Sequence, residues 1–222
     1  MNNVGQRDGG LKLMEQSLDE IGKRNGTDKS STHHDYLNNY QAQIGLVPIP
    51  IHKMLEIGIF DGASLRTWHE FMPDTHIVGV DIDQRCEAFE APNVSVEICD
   101  QSDISQLVKL AAKYGSFDMI IDDGSHIWSH QILTLETLFP ILTPGGLYII
   151  EDIDTSYGHY VSAYGHDSTI SAAQYVMKLA NYVLASTAVD LLQERDLRVR
   201  ALVSMIESIT LIRRSALIRR RL

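Results

Sequence analysis

The chain has 222 residues, 44% of them hydrophobic and 22% charged, which suits one α/β domain with an appendage better than two full domains. Its formal net charge of −10, from 19 basic and 29 acidic residues, argues against general nucleic-acid binding, which draws on contacts to phosphate. Two cysteines without a CxxC spacing argue against a disulfide scaffold or a zinc knuckle, and no apolar run nears the ~20 residues of a membrane helix. With no charged-then-apolar leader at Met1, the expectation is a soluble cytoplasmic protein with neither a nucleic-acid nor a membrane partner.

Residues 1–10 are polar and glycine-rich and are expected to fray. Leu11, Met14, Leu18 and Ile21 then recur at helical spacing, with Gly22 as the expected helix end. A polar loop from Asn25 to His34 is long for a compact domain. Tyr36 and Tyr40, four apart, open another helical stretch, bounded by Pro48 and Pro50. Residues 1–50 therefore read as a helical and lid segment, and 51–222 as the main domain. His52–Ile57 reads as the first buried strand, Gly58–Gly62 as its turn and Ala63–Phe71 as a helix. His76–Val80, Val94–Ile98, Met119–Ile121 and Leu147–Ile150 are the next strands, with a short helix over Gln84–Glu90 and helices over Ile104–Tyr114 and Ser129–Leu142 between them. This alternation predicts an α/β, Rossmann-like, doubly wound and mostly parallel sheet with helices on both faces. After residue 152 the pattern changes. An aromatic-rich loop over 153–169 holds Tyr157, His159, Tyr160, Tyr164 and His166. A long helix over Ala172–Gln193 follows, with Met177, Leu184, Leu191 and Leu192 inward. Ile206–Ile212 and Ala216–Ile218 form a terminal antiparallel hairpin around Arg214 and Ser215, bringing the sheet to about seven strands. The arginine-rich run between Arg195 and Arg221 reads as a solvated edge.

Chemistry concentrates at the strand ends. The strand over Met119–Ile121 finishes in Asp122 and Asp123; Gly124 turns the chain, and His126 follows. The strand over Leu147–Ile150 finishes in Glu151 and Asp152. Buried parallel strands that end in carboxylates place one polar cavity at the carboxyl edge of the sheet, where open α/β sheets bind ligands. Acids crowded there repel one another unless a cation sits among them. The turn from Glu56 to Gly62 has the spacing G-x-x-x-G, not the G-x-G-x-x-G of dinucleotide sites; Phe60 and Asp61 crowd the space of a pyrophosphate, and no Walker lysine follows Gly62. Asp81 ends the second strand, where a carboxylate can accept both hydroxyls of a ribose, and Asp100 and Gln101 end the third, where an adenine amino group can be held. A nucleoside without phosphates suits this set.

Three runs carry a family resemblance: Leu55–Leu65 (LEIGIFDGASL), Val78–Asp83 (VGVDID) and Asp122–His126 (DDGSH). They resemble class I S-adenosylmethionine-dependent methyltransferases, and within these the metal-dependent, mycinamicin-type sugar O-methyltransferases of macrolide and glycoside biosynthesis. Leu138–Asp152 (LFPILTPGGLYIIED) and Gly26–Lys29 (GTDK) match the same family, so the resemblance covers about residues 22–157. It implies S-adenosylmethionine and Mg²⁺ as cofactors. It also implies Thr27, Glu56, Gly58, Ser64, Asp81, Asp100, Gln101 and Asp122 around the methyl donor, Asp123, Glu151 and Asp152 on the metal, and His126 as general base. All-oxygen ligands suit a hard cation independently. The acceptor implied is a sugar hydroxyl of a glycoside or oligosaccharide, and the assembly a homo-oligomer. Two alternatives remain open. One is a catechol-type O-methyltransferase, disfavoured because its usual base is a lysine and none lies between residues 118 and 157. The other is a cofactor-binding accessory subunit of an oxygenase, as proposed for cephamycin-pathway relatives.

Overall fold

A computed structural model describes residues 16–165, 168–185 and 194–222. Strands β1 (Lys53–Ile57), β2 (His76–Asp81), β3 (Val94–Ile98), β4 (Phe117–Asp122) and β5 (Leu142–Ile150) are parallel. The hairpin β6 (Ile206–Ile212) and β7 (Ser215–Arg220) adds to the edge, with β7 antiparallel to both β5 and β6. The resulting seven-stranded order is β3-β2-β1-β4-β5-β7-β6. The chain leaves β1 towards β2 and β3, then returns to lay β4 on the other side of β1. The β1/β4 boundary is thus the switch point, where the connections diverge and leave a crevice beyond the strand ends.

The sheet is buried on both faces. On one face pack α1 (Leu18–Asn25), α2 (Leu37–Ile44) and α3 (Ala63–Phe71), through Leu18, Tyr36, Tyr40, Leu65 and Trp68. On the other pack α4 (Ile104–Tyr114), α5 (Trp128–Leu138), α7 (Ala172–Leu184) and α8 (Leu197–Met205), through Leu107, Leu135, Leu138, Leu179 and Leu202. A short α6 (Val161–Tyr164) and two 3₁₀ turns occupy the segment after β5. Within β4 the faces alternate: Met119 and Ile121 join the first core and Ile120 the second. This local pattern makes β4 a central strand and brings its terminal acids to the crevice. Among the described residues no helix is long and apolar enough to cross a membrane.

Three boundaries differ from the sequence expectation. Gly22 does not end α1. Ser17 caps the start of that helix, Gly26 closes it in a left-handed conformation (φ 79°), and a side chain at Gly22 would collide with Leu37 of α2. The part of that predicted helix before Gln16 lies outside the described residues. β5 starts at Leu142 rather than Leu147, because Leu142 already pairs with Phe117; α5 stops at Leu138 and a 3₁₀ turn bridges the two. α7 ends at Leu184, and Met177 and Leu184 are exposed, not inward: the buried face of the helix is Ala172, Ala173, Tyr175, Val176 and Leu179, and Met177 and Leu184, seven apart, lie on the opposite side. Leu191, Leu192 and His166 lie outside the described residues.

Candidate active site

A cavity of about 950 Å³ opens at the switch point. Gly58 forms its floor. Its φ is 94°, and a Cβ there would overlap the carbonyl of Asp123, so the β1 turn and the β4 turn meet backbone to backbone. Asp81 is held by this same turn. Its Oδ2 accepts the N–H groups of Ile59 (2.8 Å) and Phe60 (3.1 Å), and its Oδ1 accepts that of Asp83 (2.9 Å). Oδ1 therefore keeps a lone pair for a further donor. Asp100 accepts the N–H and hydroxyl of Ser102, which hold its carboxyl below the usual range. Gln101 is engaged at both ends of its amide: Nε2 donates to Asp122 (2.6 Å) and Oε1 accepts from the N–H of Ser125 (3.0 Å). It braces the turn that carries His126, a role the strand-end pattern did not reveal.

The residues expected around the donor divide into two groups. Thr27, Gly58, Ser64, Asp81, Asp100 and Gln101 line the cavity. Glu56 and Asp122 stand behind it, fully buried. Glu56 accepts from the hydroxyl of Ser64 (2.9 Å) and the indole N–H of Trp68 (3.3 Å). Burial pushes the Glu56 and Asp122 carboxyls up to about 7, against the opposing pull of Lys29 on the first and the Gln101 amide on the second.

At the deep end Asp123, His126 and Asp152 converge, each offering a ligand atom within 4.8 Å of the others. His126 Nε2 lies 3.7 Å from Asp152 Oδ2 and 4.0 Å from Asp123 Oδ1. Both His126 (φ 57°) and Asp152 (φ 51°) hold left-handed backbones that aim them at one point, and Thr155 Oγ1 lies within hydrogen-bonding distance of both their carbonyls (3.3 and 2.9 Å). The far oxygen of each acid is already engaged. Asp152 Oδ1 accepts from the Tyr36 hydroxyl and meets the Arg214 guanidinium at 3.2 Å. Asp123 Oδ2 accepts from the buried ammonium of Lys29, which also reaches Glu151 Oε2 at 2.9 Å and Glu56 at 3.8 Å. Glu151 thus faces Lys29 and lies outside the three-residue cluster, yet its Oε1 is buried without a hydrogen-bond partner. Burial alone would lower the Lys29 ammonium, but Asp123, Glu151 and Glu56 outweigh it and hold it well above its ordinary value. Carboxylate oxygens beside an imidazole, with one buried oxygen orphaned, form a donor set that fits a hard divalent cation.

Lys29, Tyr36 and Arg214 are the site residues missed from sequence. Tyr36 reads as packing, and it is packed, but its hydroxyl meets a carboxylate. Arg214 reads as a hairpin turn. The available signal for Lys29 was its place in the Gly26–Lys29 run.

A family described as "Methyltransferase domain" matches residues 55–153. The chain is 34% identical over 195 residues to demethylmacrocin O-methyltransferase of Streptomyces fradiae, covering 85% of this chain and 47% of that protein. It is 36% identical over 147 residues to mycinamicin VI 2''-O-methyltransferase of Micromonospora griseorubida, covering 63% of this chain and 37% of that protein. The chain thus spans less than half the length of these two relatives. Among solved structures it resembles the MycE methyltransferase from the mycinamycin biosynthetic pathway in complex with Mg and SAH, with a TM-score of 0.80 and 26% identity over 93% of this chain and 54% of that one. With the seven-stranded order, the glycine turn against Asp81 and these likenesses in hand, the chain belongs to the S-adenosylmethionine-dependent methyltransferases and is related to the MycE-type sugar O-methyltransferases.

Proposed function

We propose that this protein transfers the methyl group of S-adenosylmethionine to a sugar hydroxyl of a glycoside or oligosaccharide, at a Mg²⁺ site held by Asp123, Glu151 and Asp152, with His126 as base. The observation that carries this reading is the meeting of Asp123, His126 and Asp152 at the deep end of a cavity whose other end is framed by Gly58 and Asp81. When bound, the donor supplies a sulfonium methyl and the cation lowers the pKa of a coordinated hydroxyl.

The protein's own residues do the rest. Oδ1 of Asp81 accepts a ribose hydroxyl, and Gly58 leaves the space that an adenosyl group needs. His126 takes the acceptor's proton at Nε2, the nitrogen that faces Asp123 and Asp152. Tyr36 and Arg214 fix Asp152 and Lys29 fixes Asp123, each through one oxygen, so that the other oxygen of these two acids stays in the cluster with His126, while Lys29 also holds Glu151 beside it. Positioning of donor and acceptor in line completes what an in-line methyl displacement requires.

Lys29 does not revive a catechol-type mechanism. A lysine does reach the site, from outside the 118–157 stretch, but its three carboxylate neighbours keep it charged and unable to accept a proton. The accessory-subunit reading is separated by assaying the chain alone with labelled methyl donor and a panel of glycosides. Methyl transfer that disappears in EDTA and returns with Mg²⁺ is the expected result. Transfer that persists unchanged in EDTA rules out the metal role, and no transfer to any glycoside rules out the acceptor class. His126→Ala is expected to lower turnover by roughly 10²–10⁴ while binding of S-adenosylhomocysteine, followed by calorimetry, persists. A homo-oligomer built through the exposed edge strand β6 belongs to the same proposal and is read by light scattering.

A further inference from the structure

The acids of this site carry a feature that a metal centre alone does not call for: a lysine buried among them. Lys29 comes from the loop between α1 and α2. Its carbonyl accepts the N–H groups of Tyr36 (2.9 Å) and Leu37 (3.3 Å), and its own N–H donates to Thr27 Oγ1 (3.3 Å), so the loop delivers the side chain from a fixed position. The ammonium meets carboxylates from three separate places in the sheet: Glu56 in β1, Asp123 after β4 and Glu151 after β5. It uses Asp123 Oδ2 and Glu151 Oε2. Of the other oxygens, Asp123 Oδ1 stays in the cluster with His126 and Asp152, and Glu151 Oε1 is buried without a partner. Ammonium and metal would therefore meet Asp123 through different oxygens. The formal charge of the three carboxylates is −2 with Lys29 and −3 without it.

Resting on the metal site proposed above, we infer that Lys29 is a resident counter-cation of this centre, which holds the acids together when no metal is bound and sets the affinity and valence with which the site takes an ion. Coulomb attraction scales with the charge of the incoming ion. Removing the ammonium therefore strengthens binding of every cation, and of trivalent ions most. It also leaves the ion-free protein with buried acids that lack a counter-charge, so that a bound ion stabilises the variant more than the parent.

The test uses Mn²⁺, followed by the resonance of the free ion, and Tb³⁺, followed by its luminescence, with the wild-type protein, Lys29→Met and the double variant Lys29→Met/Glu56→Gln. Lys29→Met is expected to bind Mn²⁺ about tenfold more tightly than wild type, and Tb³⁺ about thirtyfold more tightly, the second figure following from the 3:2 ratio of ionic charges. The double variant, whose formal charge returns to −2, is expected to fall back to within about threefold of wild type for both ions. A rise in Tm on adding Mn²⁺ that is larger for Lys29→Met than for wild type supports the inference, as does a variant that folds only in the presence of Mn²⁺. Equal or weaker Mn²⁺ binding by Lys29→Met overturns it, as does a variant that no ion restores to the folded state. Should the wild-type protein itself bind no Mn²⁺, it is the metal site that fails, a result distinct from a wild type that binds Mn²⁺ and a Lys29→Met variant that does not differ from it.

Discussion

Asp152 owes its orientation to two side chains from opposite ends of the chain, the hydroxyl of Tyr36 and the guanidinium of Arg214. Partners that orient a ligand in this way typically matter tenfold to a hundredfold for metal affinity or activity. Tyr36→Phe is therefore expected to lower methyl transfer by about tenfold with the affinity for S-adenosylhomocysteine unchanged, a split that steady-state kinetics and calorimetry resolve together. The two cysteines give a test with no dependence on the acceptor. Burial pushes the Cys86 and Cys99 thiols up to about 11, with Asp81 and Asp100 respectively adding to the effect. The reactive thiolate is correspondingly scarce near neutrality, so alkylation by iodoacetamide at pH 8 is expected to run roughly a hundredfold slower in the native protein than in the unfolded chain. Because the thiol is the form favoured by the fold, the native rate climbs as pH rises towards 11. Fast native alkylation at pH 8 would contradict the buried environment of both residues.

Strand ends and the turns after them do most of the work of assembling the site. β1 and β4 lie side by side, and the N–H of Asp123 donates to the carbonyl of Ile57 (2.9 Å), so the glycine turn and the Asp123–His126 turn form one surface. Gly58→Ala puts a methyl group into the carbonyl of Asp123 and requires a left-handed backbone from a residue that resists it. Backbone cannot yield as a flexible side chain can. The substitution is expected to cost about 3 kcal/mol or more of stability and to abolish detectable S-adenosylhomocysteine binding, read by thermal melting and calorimetry. The spacing of glycine and acids made this turn legible from the sequence, because strand, turn and helix succeed one another within eleven residues, Leu55–Leu65. The start of β5 was less so. Thr143–Gly146 has the composition of a turn and bulges between the Leu142–Phe117 and Leu147–Met119 pairs, so the start of the strand is decided by its neighbour β4.

At the scale of the whole molecule, segments on both sides of the central strands bear on the site. α1 and α2 share a core with the sheet: Leu18, Tyr36, Leu37 and Tyr40 are buried in one cluster with Met54 and Trp68, and Lys29 lies between them. The division at residue 50 therefore separates parts that pack as one. A fragment of residues 51–222 would expose that face and leave Glu56 and Glu151 without their ammonium. It is expected to lack the cooperative melting transition of the full chain in circular dichroism. On the opposite side, the β6–β7 hairpin extends the sheet past β5 and brings Arg214 to Asp152 and Asp154.

By itself the sequence determined the alternation of strands and helices, the parallel sheet and the placing of Asp81, Asp123, His126 and Asp152 at its carboxyl edge. These follow from short-range causes: apolar runs select buried strands, and parallel strands deliver their last residues to one side. Tertiary structure alone decided which charges meet there. Lys29 lies 94 residues from Asp123 and 122 from Glu151, and Tyr36 lies 116 from Asp152. No spacing rule spans such distances. Their meeting depends on how two N-terminal helices and a C-terminal hairpin pack against the sheet, and that packing is set by the fit of whole apolar faces rather than by any local run of residues.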